Sequence, residues 1–402
     1  MTEAPGLAGF DALWTALEPI GRDDRSGGYR RFAWTAEDAA LREWFAGEAT
    51  TRGLDLTEDR AGNQWAWWGD PDADGPGVVI GSHLDSVPDG GAFDGPLGVV
   101  SSLAALDALR DRGFRPAKPI AVVNFGDEEG ARFGIACAGS RILTGALDPD
   151  RARSLTDRDS TTLAEAMRAA GRCPDDLGAD PDTVRRIGAF VELHVEQGRG
   201  LIDLGRPVAV GTAIRPHGRW RIDLRGEANH AGTTPMSDRS DAMVAAASVV
   251  LEAEATATRN DGVATCGKLE VVPNGVNAIP SHVRVWLDVR AESSDQVESI
   301  LSDLREFVEW HGGTMTNESW TDVTRFDPHL AHDLSTLLGD APLLDTGAGH
   351  DAGVLASAGV PAAMLFVRNP TGVSHSPAEF AERDDCHAGV VALTRVVEQL
   401  AG

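Results

Sequence analysis

Residues 120–125 read IAVVNF and are followed at once by GDEEG. A strand with one wet face alternates apolar and polar residues. A run with a single polar position instead fits a strand covered on both sides. Such strands belong to parallel sheets packed between helices, and that demand narrows the fold more than any other feature of the chain. Val78–Ile80 and MLFV (364–367) make the same demand.

Helical patterns stand between these strands. Residues 35–52 read as a helix with Trp44 and Phe45 on its apolar side, and Leu97–Arg112 as another, ended by Gly113. The alternation predicts an α/β domain: a mixed, mostly parallel sheet with helices on both faces. After about residue 212 the pattern changes. Trp220–Leu224 alternates like a half-buried strand, and Asp241–Thr258 is an Ala-rich helix. Val263–Val272 and His282–Arg290 read as strands about the turn PNG. Ser293–His311 is a helix opened by a Ser293/Gln296 capping box, and Thr314–Trp320 is a last strand. The order β-α-β-β-α-β predicts an inserted ferredoxin-like α+β domain. The expected division is 1–212, an insert over 213–327, and a return of the first domain over 328–402.

The 402 residues carry 62 acidic against 36 basic side chains, a net charge of −26. This argues against nucleic acid or an anionic membrane as partner. It leaves room for a small anionic substrate in a locally positive site. The first twenty residues lack the basic and apolar regions of a leader, and no run of about 18 apolar residues suits a membrane span. The four cysteines (137, 173, 266, 386) are scattered, with no C-x-x-C. A cytoplasmic protein without disulfides or a cysteine zinc site is the expectation.

The chemistry gathers where apolar runs end. His83, Asp85 and Asp94 follow Val78–Ile80 on the glycine-rich stretch GSHLDSVPDGGAFDGPLGV. Asp127, Glu128 and Glu129 follow IAVVNF, His194 and Glu196 lie in FVELHVEQG, and His375 lies in GVSHSP after MLFV. In open α/β sheets, ligands bind beyond the carboxyl ends of the strands. Several imidazoles and carboxylates brought together there suit a zinc-like divalent ion. Each histidine taken alone reads better as a loop or core residue than as a ligand; the cluster carries the expectation.

Six motifs in order, GSHLDSV, FDGPLGV, DEEGARF, ELHVEQG, GEANHAGTTPM and GVSHSP, resemble the M20-type metallo-amidohydrolases. The likeness is to the branch of N-carbamoyl-L-amino-acid hydrolases and allantoate amidohydrolases, and it runs over nearly the whole chain. It implies two divalent ions per subunit, zinc or manganese first, cobalt or nickel as alternatives. His83 and His194 would bind one ion, Glu129 and His375 the other, and Asp94 would bridge them. Glu128 would be the general base, and Asp85 would orient His83. The insert would be a lid and dimerisation domain of a homodimer. Its His230 would reach the partner subunit's site and polarise the scissile carbonyl. Asn277 and Arg290 match positions that bind the substrate carboxylate, Gln197 matches a site-facing glutamine, and His350 lies on a loop lining the same pocket. His217 stands where the branch usually has Gln, Thr346 where Ser is common, and Ser281 where Gly is usual. His217 lies near the substrate-side residues and bears on which substrate is used.

The resemblance implies cleavage of a ureido C–N bond on a carboxylate-bearing substrate, allantoate first and N-carbamoyl-L-amino acids next. Removal of a formyl or formimino group from an acidic amino acid is a third expectation. An M20 peptidase is disfavoured, because His194 stands where most peptidase-type members carry a carboxylate. A binding protein without catalysis is disfavoured by the complete set of ligands and base.

Overall fold

The computed structural model describes residues 7–402. They divide into two compact units: residues up to Ala213 together with Arg325–Gly402, and Ile214–Thr324. Along the chain the strands are β1 (Asp55–Glu58), β2 (Gln64–Trp68), β3 (Gly77–His83), β4 (Ile120–Phe125), β5 (Ile187–Val195) and β6 (Val208–Ile214). They continue as β7 (His217–Arg225), β8 (Val263–Val272), β9 (His282–Arg290), β10 (Thr314–Thr321), β11 (Thr324–Arg325), β12 (Leu343–Thr346) and β13 (Ala362–Val367).

The first unit holds a mixed sheet in the order β1-β2-β4-β3-β5-β13-β6-β11, with β12 also on β6. Its centre is parallel, from β4 through β3 and β5 to β13. β2 joins β4, and β6 joins β13, antiparallel. Every residue of β3, β4 and β13 is buried, as continuous apolar runs require. Helices cover both faces. Val191 and Leu193 of β5 share a core with helices Pro96–Asp111 and Arg383–Ala401. Glu192, on the opposite side of the same strand, accepts the backbone N–H of Ala352 in helix Asp351–Ser357. Truncating a leucine at the centre of such a core, Leu103 for example, costs about 2–5 kcal/mol. The sequence reading passed over β2, although Gly62-Asn63 and Gly69-Asp70-Pro71 bound its QWAWW.

The second unit is an antiparallel sheet in the order β10-β7-β9-β8. Helices Ala242–Arg259 and Ser294–Trp310 pack on one face, against Trp220, Ile222, Leu224, Val283, Val285 and Leu287. The element order is β-α-β-β-α-β. Asp241 and Ser293 cap the two helices, and Ser293 forms the capping box with Gln296. Alternate residues His217, Arg219, Arg221, Asp223 and Arg225 point to the other, more exposed face. The connection between β8 and β9 is longer than the PNG turn alone: residues 273–281 reach over to pair Ala278 with His230. β8 is an edge strand, and its Val263, Leu269 and Val272 are exposed.

Candidate metal centre

The polar ends of β3, β4, β5 and β13 converge. Gly95 makes room for His83: it has φ +83°, and a Cβ there would lie 2.4 Å from His83 Cε1. Asp85 binds the neighbouring turn. Its carboxylate accepts the N–H groups of Glu128 (3.1 Å) and Glu129 (3.0 Å), and lies 3.4 Å from His83 Nδ1. The closer partner of that nitrogen is the Asp85 backbone oxygen at 3.2 Å. The Asp85 carboxylate therefore ties down the start of the Glu128–Glu129 turn, through two backbone N–H groups.

Asp94 stands between two groups of donors. Its Oδ1 lies 3.1 Å from His194 Nε2 and 3.5 Å from His83 Nε2, and its Oδ2 lies 3.5 Å from His375 Nε2. His375 Nε2 is also 3.5 Å from Glu129 Oε2. Two triads result, His83–Asp94–His194 and Asp94–Glu129–His375, each with ligand atoms within 4.8 Å of one another. They share Asp94, one oxygen to each side. Glu128 is not in either triad; its Oε2 lies 3.7 Å from His83 Nε2, and its Oε1 accepts from Cys137 Sγ at 3.1 Å.

Whether these atoms suit a cation can be judged from the imidazoles. His194 Nδ1 meets the Val195 carbonyl at 2.8 Å, as His83 Nδ1 meets Asp85 O. A nitrogen facing a carbonyl carries the proton, so each Nε2 presents a lone pair. Those lone pairs face the Asp94 carboxylate, and neither Nε2 has a hydrogen-bond partner among the described residues. Buried Glu129 Oε1 is likewise unpartnered. Acceptors facing acceptors in a dry site call for a positive ion among them. Imidazole nitrogens with carboxylate oxygens suit zinc, manganese, cobalt or nickel.

The charge distribution agrees. Burial pushes the Glu128 and Glu129 carboxyls well above the usual range. For His83 burial opposes the charge, but Glu128, Asp85 and Asp94 outweigh it and hold the imidazole well above its ordinary value. Burial would raise Asp94, yet His194 and His83 hold it well below. With no ion bound, the surrounding carboxylates draw a proton onto these imidazoles; a divalent cation would take the place of that positive charge and leave Nε2 as the ligand.

Gln197 and His350 also belong here. Gln197 Nε2 donates to Asp94 Oδ2 at 2.9 Å. The His350 ring sits 4.5 Å from that of His194, and burial with His194 nearby pushes it well below the usual imidazole value, so it stays neutral. Glu196 turns away: its two oxygens accept the N–H groups of Gly200 and Leu201 at the start of helix Gly200–Leu204.

The remaining four candidates lie in the second unit, in two places. His217 is the Cα partner of Arg290 across β7 and β9. Arg290 is forked onto Asp288, Nε to Oδ1 at 2.7 Å and the terminal nitrogen to Oδ2 at 3.1 Å. His230 and Asn277 flank the other end of this ladder, where His230 bridges Ala278 and Ala231 N–H bonds the Asn277 carbonyl at 3.0 Å. From His217 to Arg225 the ladder runs eight residue steps, about 27 Å at roughly 3.4 Å per step. The expectation that Asn277 and Arg290 meet one carboxylate is corrected within a single copy of the unit: they sit at opposite ends of it.

Sequence reasoning missed several supports. Glu192 accepts from Ser82 Oγ at 2.8 Å beneath His194. Asp351, raised to about 8 by burial and Glu192, bonds Ser140. Glu379 accepts the N–H groups of Phe93 and Asp94, and burial with Asp94 nearby raises it to about 7. Signals existed: Glu192 is two residues before His194 on the same strand face, Asp351 follows His350, and Glu379 follows His375 by four.

Comparison with known proteins places the chain. The profile of peptidase family M20/M25/M40 matches residues 79–399. An N-carbamoyl-L-amino acid amidohydrolase of Geobacillus stearothermophilus is 39% identical over 97% of this chain and 98% of its own. An allantoate amidohydrolase of Escherichia coli is 32% identical over 94% of each chain. Among solved structures, a hydantoinase/carbamoylase-family amidase of Burkholderia vietnamiensis superposes with a TM-score of 0.87 at 30% identity, covering 98% of this chain and 97% of that one. The chain belongs to peptidase family M20, in its amidohydrolase branch, and is a hydrolase of carbon–nitrogen bonds.

Proposed function

We propose that the protein is a two-metal amidohydrolase that cleaves the ureido C–N bond of a small carboxylate-bearing substrate. The carrying observation is Asp94, whose two oxygens face two separate sets of ligand atoms. His83 and His194 would hold one ion, Glu129 and His375 the other, with Asp94 between. Such ions acidify a bound water and stabilise negative charge developing on the attacked carbonyl oxygen. Glu128, beside His83 but outside both triads, would take the water's proton and deliver it to the leaving nitrogen. Asp85 would hold Glu128 and Glu129 in place through their backbone N–H groups. Arg290, with Asn277, would recognise the substrate carboxylate, and His230 would polarise the carbonyl.

The two ends of the β7/β9 ladder support a homodimer. His217 and Arg290 share one end of the ladder, and His230 and Asn277 lie beyond the other, about 27 Å away at roughly 3.4 Å per step, so the two pairs suit two different sites. We assign the first pair to the chain's own site and the second to the partner's. An exposed edge strand with apolar side chains, β8, is the kind of surface that chains cover by association. No helix among the described residues is long and apolar enough to cross a membrane.

Allantoate and N-carbamoyl-L-amino acids are the two candidate substrates, and the greater identity to the carbamoyl hydrolase favours the second. The test is product release. Protein reconstituted with zinc or with manganese would be given allantoate, several N-carbamoyl-L-amino acids and N-formyl-L-glutamate. Ammonium from carbamoyl amino acids or from allantoate supports the reading and names the substrate. Formate alone, or no product from any ureido compound, overturns it.

A further inference from the structure

We propose that Glu379 is a positioning residue: it locks the loop of Asp94 to the loop of His375 and so sets the direction of the carboxylate shared by both triads. Glu379 lies four residues after His375 in SHSPAE, is 4% exposed, and belongs to neither triad. One of its oxygens accepts two successive backbone N–H groups, Phe93 and Asp94, both at 2.9 Å and more than 280 residues away in sequence. The other oxygen lies 3.2 Å from Ser374 Oγ, and that hydroxyl is also 3.2 Å from Asp94 Oδ2. Gln197 Nε2 holds the same Oδ2 at 2.9 Å.

Asp94 is thus held twice. Its backbone is fixed by Glu379, and its Oδ2 by Gln197 and Ser374. Rotation that would bring both oxygens to one side breaks these contacts. The Asp94 loop is shaped to receive Glu379: at Gly91 a Cβ would lie 2.3 Å from Glu379 Oε1 and 2.4 Å from its Cβ. Gly91 does not have a positive φ. The three atoms nearest such a Cβ all belong to Glu379.

The inference rests on the reading of Asp94 as a ligand common to two ions. Loss of a residue that orients a metal ligand typically weakens metal affinity about 10–100-fold. Glu379→Ala should lose one ion with at least about a tenfold fall in affinity. Gln can still accept both N–H groups, so Glu379→Gln should stay within about threefold of wild type, on the same scale. Affinity would be read by chelator competition with cobalt as the probe, following its absorption, with thermal melting as a check on folding. Gly91→Ala offers a second route should Glu379→Ala fail to fold. It removes no polar group but drives a methyl into Glu379, and should reproduce the affinity loss.

Wild-type affinity for two ions in both Glu379→Ala and Gly91→Ala would overturn the proposal and leave the two-metal reading intact. Equal losses in the Ala and Gln variants would also overturn it, since the acceptor geometry would not then be what matters. A wild-type protein that binds one ion or none would overturn the reading of Asp94 itself, and this inference with it.

Discussion

His217 stands directly opposite Arg290 across the antiparallel pair of β7 and β9, and Arg290 is itself forked onto Asp288 one step along the same face. The fork fixes the guanidinium plane before any ligand arrives. A guanidinium held flat is suited to a carboxylate, and a lysine ammonium cannot reproduce it. Arg290→Ala should raise KM by roughly 10–100-fold, the worth of about 1.5–3 kcal/mol for a charge-assisted bond. Metal content should not change. Unaltered KM would move carboxylate recognition elsewhere. Asp288→Asn, which weakens the fork without removing it, should give a smaller increase.

His217 is the neighbour through which the same corner could choose between substrates. His217→Gln should leave both ions bound and change the ratio of kcat/KM for allantoate over an N-carbamoyl-L-amino acid, by up to about tenfold for one contact. An identical ratio in the two proteins would make His217 a structural residue, held through the 3.0 Å contact of its Nδ1 with the Arg215 carbonyl.

Glu128→Gln separates binding from catalysis. The side chain keeps its shape and loses its basicity, so both ions should remain and kcat should fall by about 10²–10⁴. Elemental analysis and turnover on the same sample decide the matter. Loss of metal would place Glu128 among the ligands instead.

His83→Ala removes a buried imidazole whose Nε2 faces Asp94. Metal content should drop by about one ion per chain, while the helices keep their circular dichroism. Full occupancy by elemental analysis would exclude His83 from the centre.

The pattern of residues carried the fold and most of the residues that the strand ends bring together, but not equally. Apolar runs such as IAVVNF are decided by burial on both faces, so the parallel centre of the sheet could be read from composition over six residues. The capping box of Ser293 and Gln296 is a local device and is likewise readable from spacing. β2 was not, because QWAWW is wedged against β4 by tertiary contacts that leave no period in the sequence. At the site, His83, Asp94, His194 and His375 announce themselves as unusual residues at strand ends. Glu379 and Asp351 are marked only by their nearness to His375 and His350, because the groups they hold lie some two hundred positions or more away. The separation of Asn277 from Arg290 is a matter of ladder length, visible only once the register of β7 and β9 is known.

Subunit mixing tests where His230 acts. Glu128→Gln and His230→Ala dimers should each be nearly inactive. After subunit exchange, mixed dimers would carry one site with an intact Glu128 and an intact partner His230, and activity should return to roughly a quarter of wild type, the share of such sites in a random mixture. Exchange shown by mass labelling with no recovered activity would confine His230 to its own chain.

The eight-step ladder of β7 and β9 also bears on how the enzyme must be assayed. On the proposal that Arg290 serves its own chain's site and His230 the partner's, a spacer of that length would make a complete site a property of a pair of chains and not of a chain. Specific activity would then depend on dilution. It should hold constant above the dissociation constant of the pair, fall as the square of chain concentration divided by the total below it, and recover on concentrating the same sample.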